Sequence, residues 1–279
     1  MKFSIVIPVY NVAPYLHECL RSVVAASDKL RMMSDKWAIE IICVDDGSTD
    51  GSGEILDEWS AMGWRLGGAA GEDAPRYGVR VLHQKNRGEG AARNAGLEAA
   101  TGNWVGFLDA DDVYAPEMIS GAMELVAAHP DASLVALGLE ELGCSGGTAS
   151  SGVRVYGRAD SLPLKLEMTS FAQMFIRREI LAGLRFPSYA IGADRVFVAR
   201  LARRAEKVVL SDRIGYRYRV HGASAQHAPR SLKKRWDAFR YTVHVLAILL
   251  ATREAGIRIR LRYAKASLVR FLEILRRPR

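Results

Sequence analysis

Four short apolar runs punctuate the first 112 residues of the chain. Residues 2–9, 39–44, 79–83 and 104–108 consist mainly of β-branched, aromatic and other apolar side chains. Runs of that length with so few polar interruptions predict strands buried on both faces. The segments between them have a different period. Residues 13–26 place Tyr15, Leu16, Cys19, Leu20 and Val23 along one helical face. Residues 52–59 and 90–100 also read as helices. Strand followed by helix, repeated, predicts an α/β fold with a mostly parallel sheet flanked by helices. Residues 63–78 are rich in Gly, Ala and Asp and read as a surface loop.

The pattern beyond residue 114 is less regular. Residues 116–129 predict a helix and 132–139 a strand. Residues 142–157 are rich in Gly and Ser and read as a connection. Residues 169–181 hold a strand or a helix start, 192–204 an amphipathic helix, and 207–219 one strand or two. From residue 231 the chain reads as helix, interrupted at Gly256. The expected organisation is a domain over residues 1–225, divided at 114/115 into two halves, with a helical extension over 226–279.

Charge sharpens that division. The net charge is +8, yet from Arg230 onward fourteen Lys or Arg face three Asp or Glu, a net of +11 that leaves −3 for everything before it. These charges share helices with Leu246, Leu249, Leu268 and Phe271. An amphipathic basic helix suits a membrane surface better than nucleic acid, so a peripheral membrane contact through the tail is expected and a nucleic-acid partner is not. The other reading is that the apolar stripe packs on the domain. The apolar run 243–251 is too short to span a bilayer. The first residues enter a strand pattern directly, the expectation for a chain without a signal peptide. Cys19, Cys43 and Cys144 have no paired spacing and read as thiols in a reducing compartment. A cytoplasmic location follows, at the inner face of a membrane if the tail docks there.

The candidate chemistry gathers at strand ends. The fourth apolar run stops at Asp109, Asp111 and Asp112. Three carboxylates in four residues repel one another unless a cation lies between them. An all-oxygen set suits magnesium or manganese, which usually bridges one or two carboxylates to a substrate's phosphates. The second run ends in Asp45-Asp46, as a ligand carboxylate or a helix cap. Residues 88–96 put Arg93 on the first turns of a helix, where a guanidinium suits phosphate or is simply solvated. Asp194 begins the 192–204 helix, as a functional carboxylate, a cap, or a partner of Arg195 or Arg200.

Together these segments resemble the family 2 glycosyltransferases. The resemblance is carried by Ser4-Ile-Val-Ile-Pro-Val-Tyr-Asn11, by Ile42-Cys-Val-Asp-Asp-Gly-Ser-Thr-Asp-Gly-Ser52, by Asn86-Arg-Gly-Glu-Gly-Ala-Ala-Arg-Asn-Ala-Gly96 and by residues 102–112. Gly192-Ala-Asp-Arg-Val-Phe197 and Tyr218-Arg-Val-His221 extend it to about residue 225. It implies a GT-A fold, with a nucleotide-sugar-binding half over 1–114 and an acceptor half over 115–225. It implies a metal-dependent, inverting transfer of sugar from a nucleotide diphosphate sugar, uridine diphosphate favoured, to a saccharide or lipid-linked saccharide acceptor, in bacterial surface polysaccharide or glycan assembly. By position in the motifs, Pro8 and Tyr10 would lie against base and ribose, Asp46 would accept from the base, and Arg93 would meet the diphosphate. Asp111 would be the chief ligand of a divalent metal, manganese or magnesium. Asp109 would stand near ribose or metal, and His221 near metal or diphosphate. Asp194 would be the general base, with Asp212 and Glu167 next in line. The family commonly has Glu-Asp where this chain has Ala193-Asp194, which bears on acceptor orientation more than on the base.

Two rival readings remain in view. A dinucleotide-dependent oxidoreductase is suggested by Gly88-Glu89-Gly90, but Arg93 stands where the third glycine belongs. A non-catalytic nucleotide-sugar-binding module is the other. Loss of Asp111 or Asp194 would favour it, and both are present.

Overall fold

The computed structural model describes residues 1–31, 37–62, 64–65, 76–77, 79–142, 152–157, 171–189, 192–220 and 232–251, with 265, 268 and 269. The elements are, in chain order, β1 (Lys2–Val9), α1 (Ala13–Arg31), β2 (Ala38–Asp45), α2 (Ser52–Met62), β3 (Trp64–Arg65), β4 (Arg76–Tyr77), β5 (Val79–His83), α3 (Glu89–Ala99), β6 (Trp104–Phe107), β7 (Val113–Tyr114), α4 (Met118–Ala128), β8 (Leu134–Glu141), β9 (Val153–Tyr156), β10 (Met174–Arg177), α5 (Ala193–Ala202), β11 (Val208–Tyr218) and α6 (Leu232–Ala251). The expected α/β architecture is present. Among the described residues one sheet of nine strands runs β5-β2-β1-β6-β10-β8-β11-β7, with β9 on β11.

Alternation explains the continuous apolar runs. Phe3, Ile5, Ile7 and Val9 of β1 face α1 and α4, burying Leu16, Leu20, Ile119 and Ala122. Val6 faces the opposite way, with Ile42 and Val44, against Ala92 of α3 and Phe197 of α5. Both faces are covered, so neither register position is polar by default. α3 lies close to the sheet at Gly96, where a Cβ would lie 2.3 Å from Val6 Cγ1; only hydrogen fits there.

The two halves differ. β5, β2, β1 and β6 are all parallel. Beyond β6 the sheet is mixed: β10 is antiparallel to β6 and β8, while β11 is parallel to β8. Three local expectations need correction. Residues 142–157 are not connection throughout, because Val153–Tyr156 pairs antiparallel with 208–211; its β-branched residues form an edge strand despite Gly and Ser around it. The 63–78 loop contains the short hairpin β3–β4. Residues 113–114, unassigned by pattern, pair with Tyr216 and Arg217.

α6 packs on α5 through Tyr241, Val245 and Ile248 against Val196, Ala199 and Ala202. Of the tail stripe Leu261, Ala264, Leu268, Phe271 and Leu275, only Leu268 lies within the described residues, and it is exposed.

Candidate active site

The loops that follow β1, β2, β5 and β6 meet at the carboxyl ends of the parallel strands, where ligands of open α/β sheets bind. Asn11 takes a left-handed φ of 52°, a conformation Asn tolerates. Its Oδ1 accepts from Thr49 N–H at 2.8 Å, and its own N–H donates to Ser48 Oγ at 3.1 Å. Ala13 N–H, one of the first donors of α1, reaches Asp50 Oδ2 at 3.0 Å, so the second loop caps the first helix. Pro8 is buried within β1, opposite Val44. Tyr10, in the loop after β1, is 49% exposed.

Asp45 and Asp46 have separate tasks. Asp45 accepts from Ser48 N–H at 2.9 Å, and its Oδ2 lies 3.0 Å from His83 Nδ1. Burial raises its carboxyl, but the hydrogen bonds from Ser48 and His83 prevail and bring it below its ordinary value. Asp46 is 2% exposed and accepts Gln84 Nε2–H at 2.6 Å, Arg87 N–H at 2.9 Å and Gly88 N–H at 2.7 Å. The helix-cap alternative for Asp46 therefore fails: Asp50 accepts from Ser52 N–H at 3.0 Å, and Asp46 instead holds the loop leading to α3. An ionised carboxylate has roughly four acceptor positions; three are taken, which leaves about one.

Arg93 is the junction of the site. It is 3% exposed, not solvated. One Nη donates to Glu89 and, at 2.7 Å, to Asp109 Oδ1. The guanidinium lies 4.7 Å from the ring centroid of Phe171 and 5.5 Å from that of Phe186, close enough for cation–π attraction. Burial opposes its charge, but Glu89 and Asp109 together hold it more firmly protonated than usual. Its Nε–H is buried and, among the described residues, has no acceptor.

The three aspartates after β6 diverge. Asp109 turns to Arg93. Asp112 is 1% exposed and accepts Tyr216 Oη–H at 2.5 Å and Arg219 N–H at 2.7 Å. Burial, then the charge on Asp109, pushes its carboxyl up to about 7 despite those hydrogen bonds. Arg219 also donates from Nε to the Asp111 carbonyl at 2.8 Å and pairs with Glu18 of α1. Its guanidinium lies 5.1 Å from the Tyr15 ring. It is thus the clamp that fixes the acidic turn. Its position beside His221, in a segment already marked by resemblance, was the signal available for it. His221 and Glu167 lie outside the described residues. Among the described residues no three acidic, Cys or His side chains converge on a point that could hold an ion. The oxygens of Asp109 and Asp111, crowded by the buried Asp112, still suit a hard cation whose remaining ligands come from phosphates and water.

Asp194 approaches this group of residues from the mixed half of the sheet. Gly192 precedes α5 with φ 78°, and a Cβ there would lie 2.5 Å from the ring of Tyr241. Both the left-handed turn and the packing of α6 require glycine. The turn places Asp194 on the first turn of α5, where the helix dipole favours a carboxylate. Its charge acts on Arg93, Glu89 and Tyr241. Among the described residues its carboxylate has no hydrogen-bond or ion-pair partner. Arg200, a candidate partner, instead donates to His244 Nε2 at 2.9 Å. Asp212 is tied to Arg154 at 2.5 Å.

Comparison with known proteins agrees with this geometry. The family described as Glycosyl transferase family 2 matches residues 4–184. The chain is 31% identical over 246 residues to the uncharacterized glycosyltransferase EpsJ of Bacillus subtilis, covering 81% of this chain and 63% of that protein. It spans 30–33% of the length of three other curated relatives. The S. aureus TarS structure in complex with UDP-GlcNAc superposes with a TM-score of 0.70 at 20% identity, covering 98% of this chain and 72% of that one. The mannosyltransferase PcManGT from Pyrobaculum calidifontis, in complex with GDP-Man and Mn2+, gives 0.59 at 19%, covering 98% and 73%. With the family match extending over most of the chain and the fold shared with these enzymes, the chain belongs to glycosyl transferase family 2.

Proposed function

We propose that the protein transfers a sugar with inversion from a nucleotide diphosphate sugar to an acceptor hydroxyl, with Asp194 as general base. The observation that carries this reading is the Asp194 carboxylate, without a partner among the described residues, held on a first helical turn and acting electrostatically on the same Arg93 that binds Asp109. Residues 1–114 hold the donor. Pro8 and Tyr10 border the base and ribose, Asp46 offers its remaining acceptor position to the base, and Arg93 orients Asp109 beside the diphosphate. Asp111 and Asp109 would hold a divalent ion, and the resemblance adds His221 as a third candidate ligand. When bound, that ion neutralises charge on the leaving diphosphate.

Residues 115–225 present the acceptor. Asp194 takes the proton from the acceptor hydroxyl as its oxygen attacks the anomeric carbon. The bond from that carbon to the diphosphate oxygen breaks, and the diphosphate leaves with the electron pair. One displacement needs one base and no covalent nucleophile. The TarS complexes with UDP and UDP-GlcNAc support a uridine diphosphate sugar as first choice, and GDP-Man on the mannosyltransferase keeps guanosine in the screen. The acceptor we favour is a saccharide or lipid-linked saccharide of bacterial surface glycan assembly, presented at the inner face of the membrane.

A base is needed for transfer but not for donor binding. Asp194→Asn is therefore expected to lower transfer by roughly 10²–10⁴-fold with nucleotide affinity unchanged. Transfer at more than about a tenth of the parent rate would place the base elsewhere.

A further inference from the structure

Glu89 opens α3 and is fixed from both sides. Before it, the N–H groups of Arg87 and Gly88 donate to Asp46 at 2.9 and 2.7 Å, and Gly88 turns the chain with φ 89°. One turn after it, Arg93 donates to Glu89 Oε1 through the same Nη2 that reaches Asp109. An i,i+4 ion pair on a helix is ordinarily a solvated pair. Here the guanidinium is buried, and Asp109 already meets its charge at 2.7 Å. Glu89 is therefore surplus to what Arg93 needs. Its side chain is 63% accessible, and among the described residues its second oxygen has no partner. Its carboxyl is nevertheless held above its ordinary value, first by desolvation, with Asp109 and Asp194 adding to it against the pull of Arg93. A carboxylate that is open yet short of bulk water lines a cleft.

Packing joins that cleft wall to the segment carrying Asp194. Asn94 of α3 exchanges two hydrogen bonds with the Phe186 backbone, at 2.9 and 2.8 Å, and a Cβ on Gly90 would lie 2.9 Å from the Pro187 carbonyl oxygen. The start of α3 is thereby tied to residues 186–187. The Phe186 ring stacks on that of Phe197, with centroids 3.9 Å apart and planes 5° from parallel. Phe197 lies three positions after Asp194 in α5, on the same side of the helix. Asp109 meets Glu89 through Arg93, and the charge of Asp194 acts on Glu89 as well. On the function proposed above, Asp109 stands by the diphosphate and Asp194 by the attacking hydroxyl. What lies between diphosphate and attacking hydroxyl is the sugar being transferred.

We propose that Glu89 is a specificity-determining residue that accepts hydrogen bonds from hydroxyls of the donor's sugar, and that this sugar is neutral. An ionised carboxylate only accepts, and sugar hydroxyls can donate to it in strong, charge-assisted bonds. A sugar bearing a carboxylate of its own would face Glu89 and Asp194 while the guanidinium of Arg93 is already engaged by two acids. Like charges brought together there repel. The inference rests on the donor reading above and adds the class of sugar to it.

The test is calorimetric titration of the full chain, in manganese, with UDP, UDP-glucose, UDP-N-acetylglucosamine and UDP-glucuronate, and with GDP and GDP-mannose. Each nucleotide sugar is read as a ratio to its own diphosphate. The parent is expected to favour a neutral sugar nucleotide over UDP-glucuronate by about tenfold or more. Glu89→Ala is expected to weaken the neutral sugar nucleotide by about tenfold or more relative to its diphosphate. Glu89→Gln keeps an acceptor for Arg93 without the charge, and is expected to narrow the gap between glucuronate and neutral sugar even where the alanine variant fails to fold. Equal losses for sugar nucleotide and diphosphate would confine Glu89 to holding Arg93 and overturn the proposal. Tighter binding of UDP-glucuronate than of the neutral sugars by the parent, or an unchanged glucuronate gap in Glu89→Gln, would overturn it too. These titrations involve no transfer, so such a result beside lost transfer in Asp194→Asn would count against this inference alone. Absence of binding by both diphosphates would remove the donor reading itself, and this inference with it.

Discussion

Both ends of the parallel half of the sheet carry shielded carboxylates, and they meet opposite conditions. Glu40, towards the amino ends, accepts Ser4 Oγ–H at 2.5 Å, Thr101 N–H at 2.6 Å and Gly102 N–H at 3.1 Å, and pairs with Lys2 Nζ at 2.6 Å. Burial opposes its charge, but Lys2, Ser4 and Thr101 bring its carboxyl down to about 2. Asp112, at the carboxyl ends, accepts two hydrogen bonds and still rises to about 7, because it is more deeply buried and faces Asp109. Glu40 is completed by the protein's own donors and welds strand starts together. The aspartates after β6 are set against one another, an arrangement that gains from a cation supplied from outside. On the function proposed above, structure and reaction occupy opposite ends of one sheet.

Substitutions at the two ends should separate accordingly. Among Asp111, Asp46 and Glu40 the largest effect is expected from Asp111→Asn, a loss of roughly 10²–10³-fold in transfer with no loss of thermal stability; steady-state rates and an unfolding scan check both. Asp46→Ala should weaken nucleotide binding by roughly 1.5–3 kcal/mol, the range for a hydrogen bond to a charged group. Because the loop before α3 also loses its anchor, stability should fall with it. Lost stability at unchanged affinity, read by calorimetry, would confine Asp46 to the scaffold. Glu40→Gln reverses the pattern: about 1–2 kcal/mol of stability lost and turnover per folded molecule unchanged.

The smallest effects are in pH dependence, and they have opposite signs. Glu40 lies below its ordinary 4.5, so its contribution is present above pH 4.5 and is lost as pH falls towards 2. Asp112 lies above its ordinary 3.8, so the folded protein holds its proton more tightly. That contribution is present below pH 3.8 and is lost as pH rises through about 7. In chelator, Asp112→Asn should flatten the neutral limb of a stability–pH curve and Glu40→Gln the acid limb. Parallel curves for both variants would erase the contrast between the two ends.

The sequence makes one end of this contrast easier to read than the other. The strands of the parallel half are legible because both faces are buried, so β1 and β2 are apolar without alternation. β9 is not, since an edge strand of four residues among Gly and Ser lacks that pattern. Asp46 can be placed at a strand end, but Gln84, Arg87 and Gly88, its donors, arrive about forty positions later. Arg93 reads correctly as an early helical residue. Its burial does not, because Asp109, Phe171 and Phe186 converge on it from separate segments. The tail reads as amphipathic, but the packing of Tyr241, Val245 and Ile248 on α5 depends on Gly192, which no local period encodes.

The reading proposed for the carboxyl-end aspartates is a donor site completed by a cation. Calorimetric titration of uridine diphosphate, with manganese and with chelator, into the parent and Asp111→Asn tests it most directly. Manganese-dependent binding by the parent, abolished in chelator and in the variant, is expected. Binding of equal affinity in all of these conditions would contradict it.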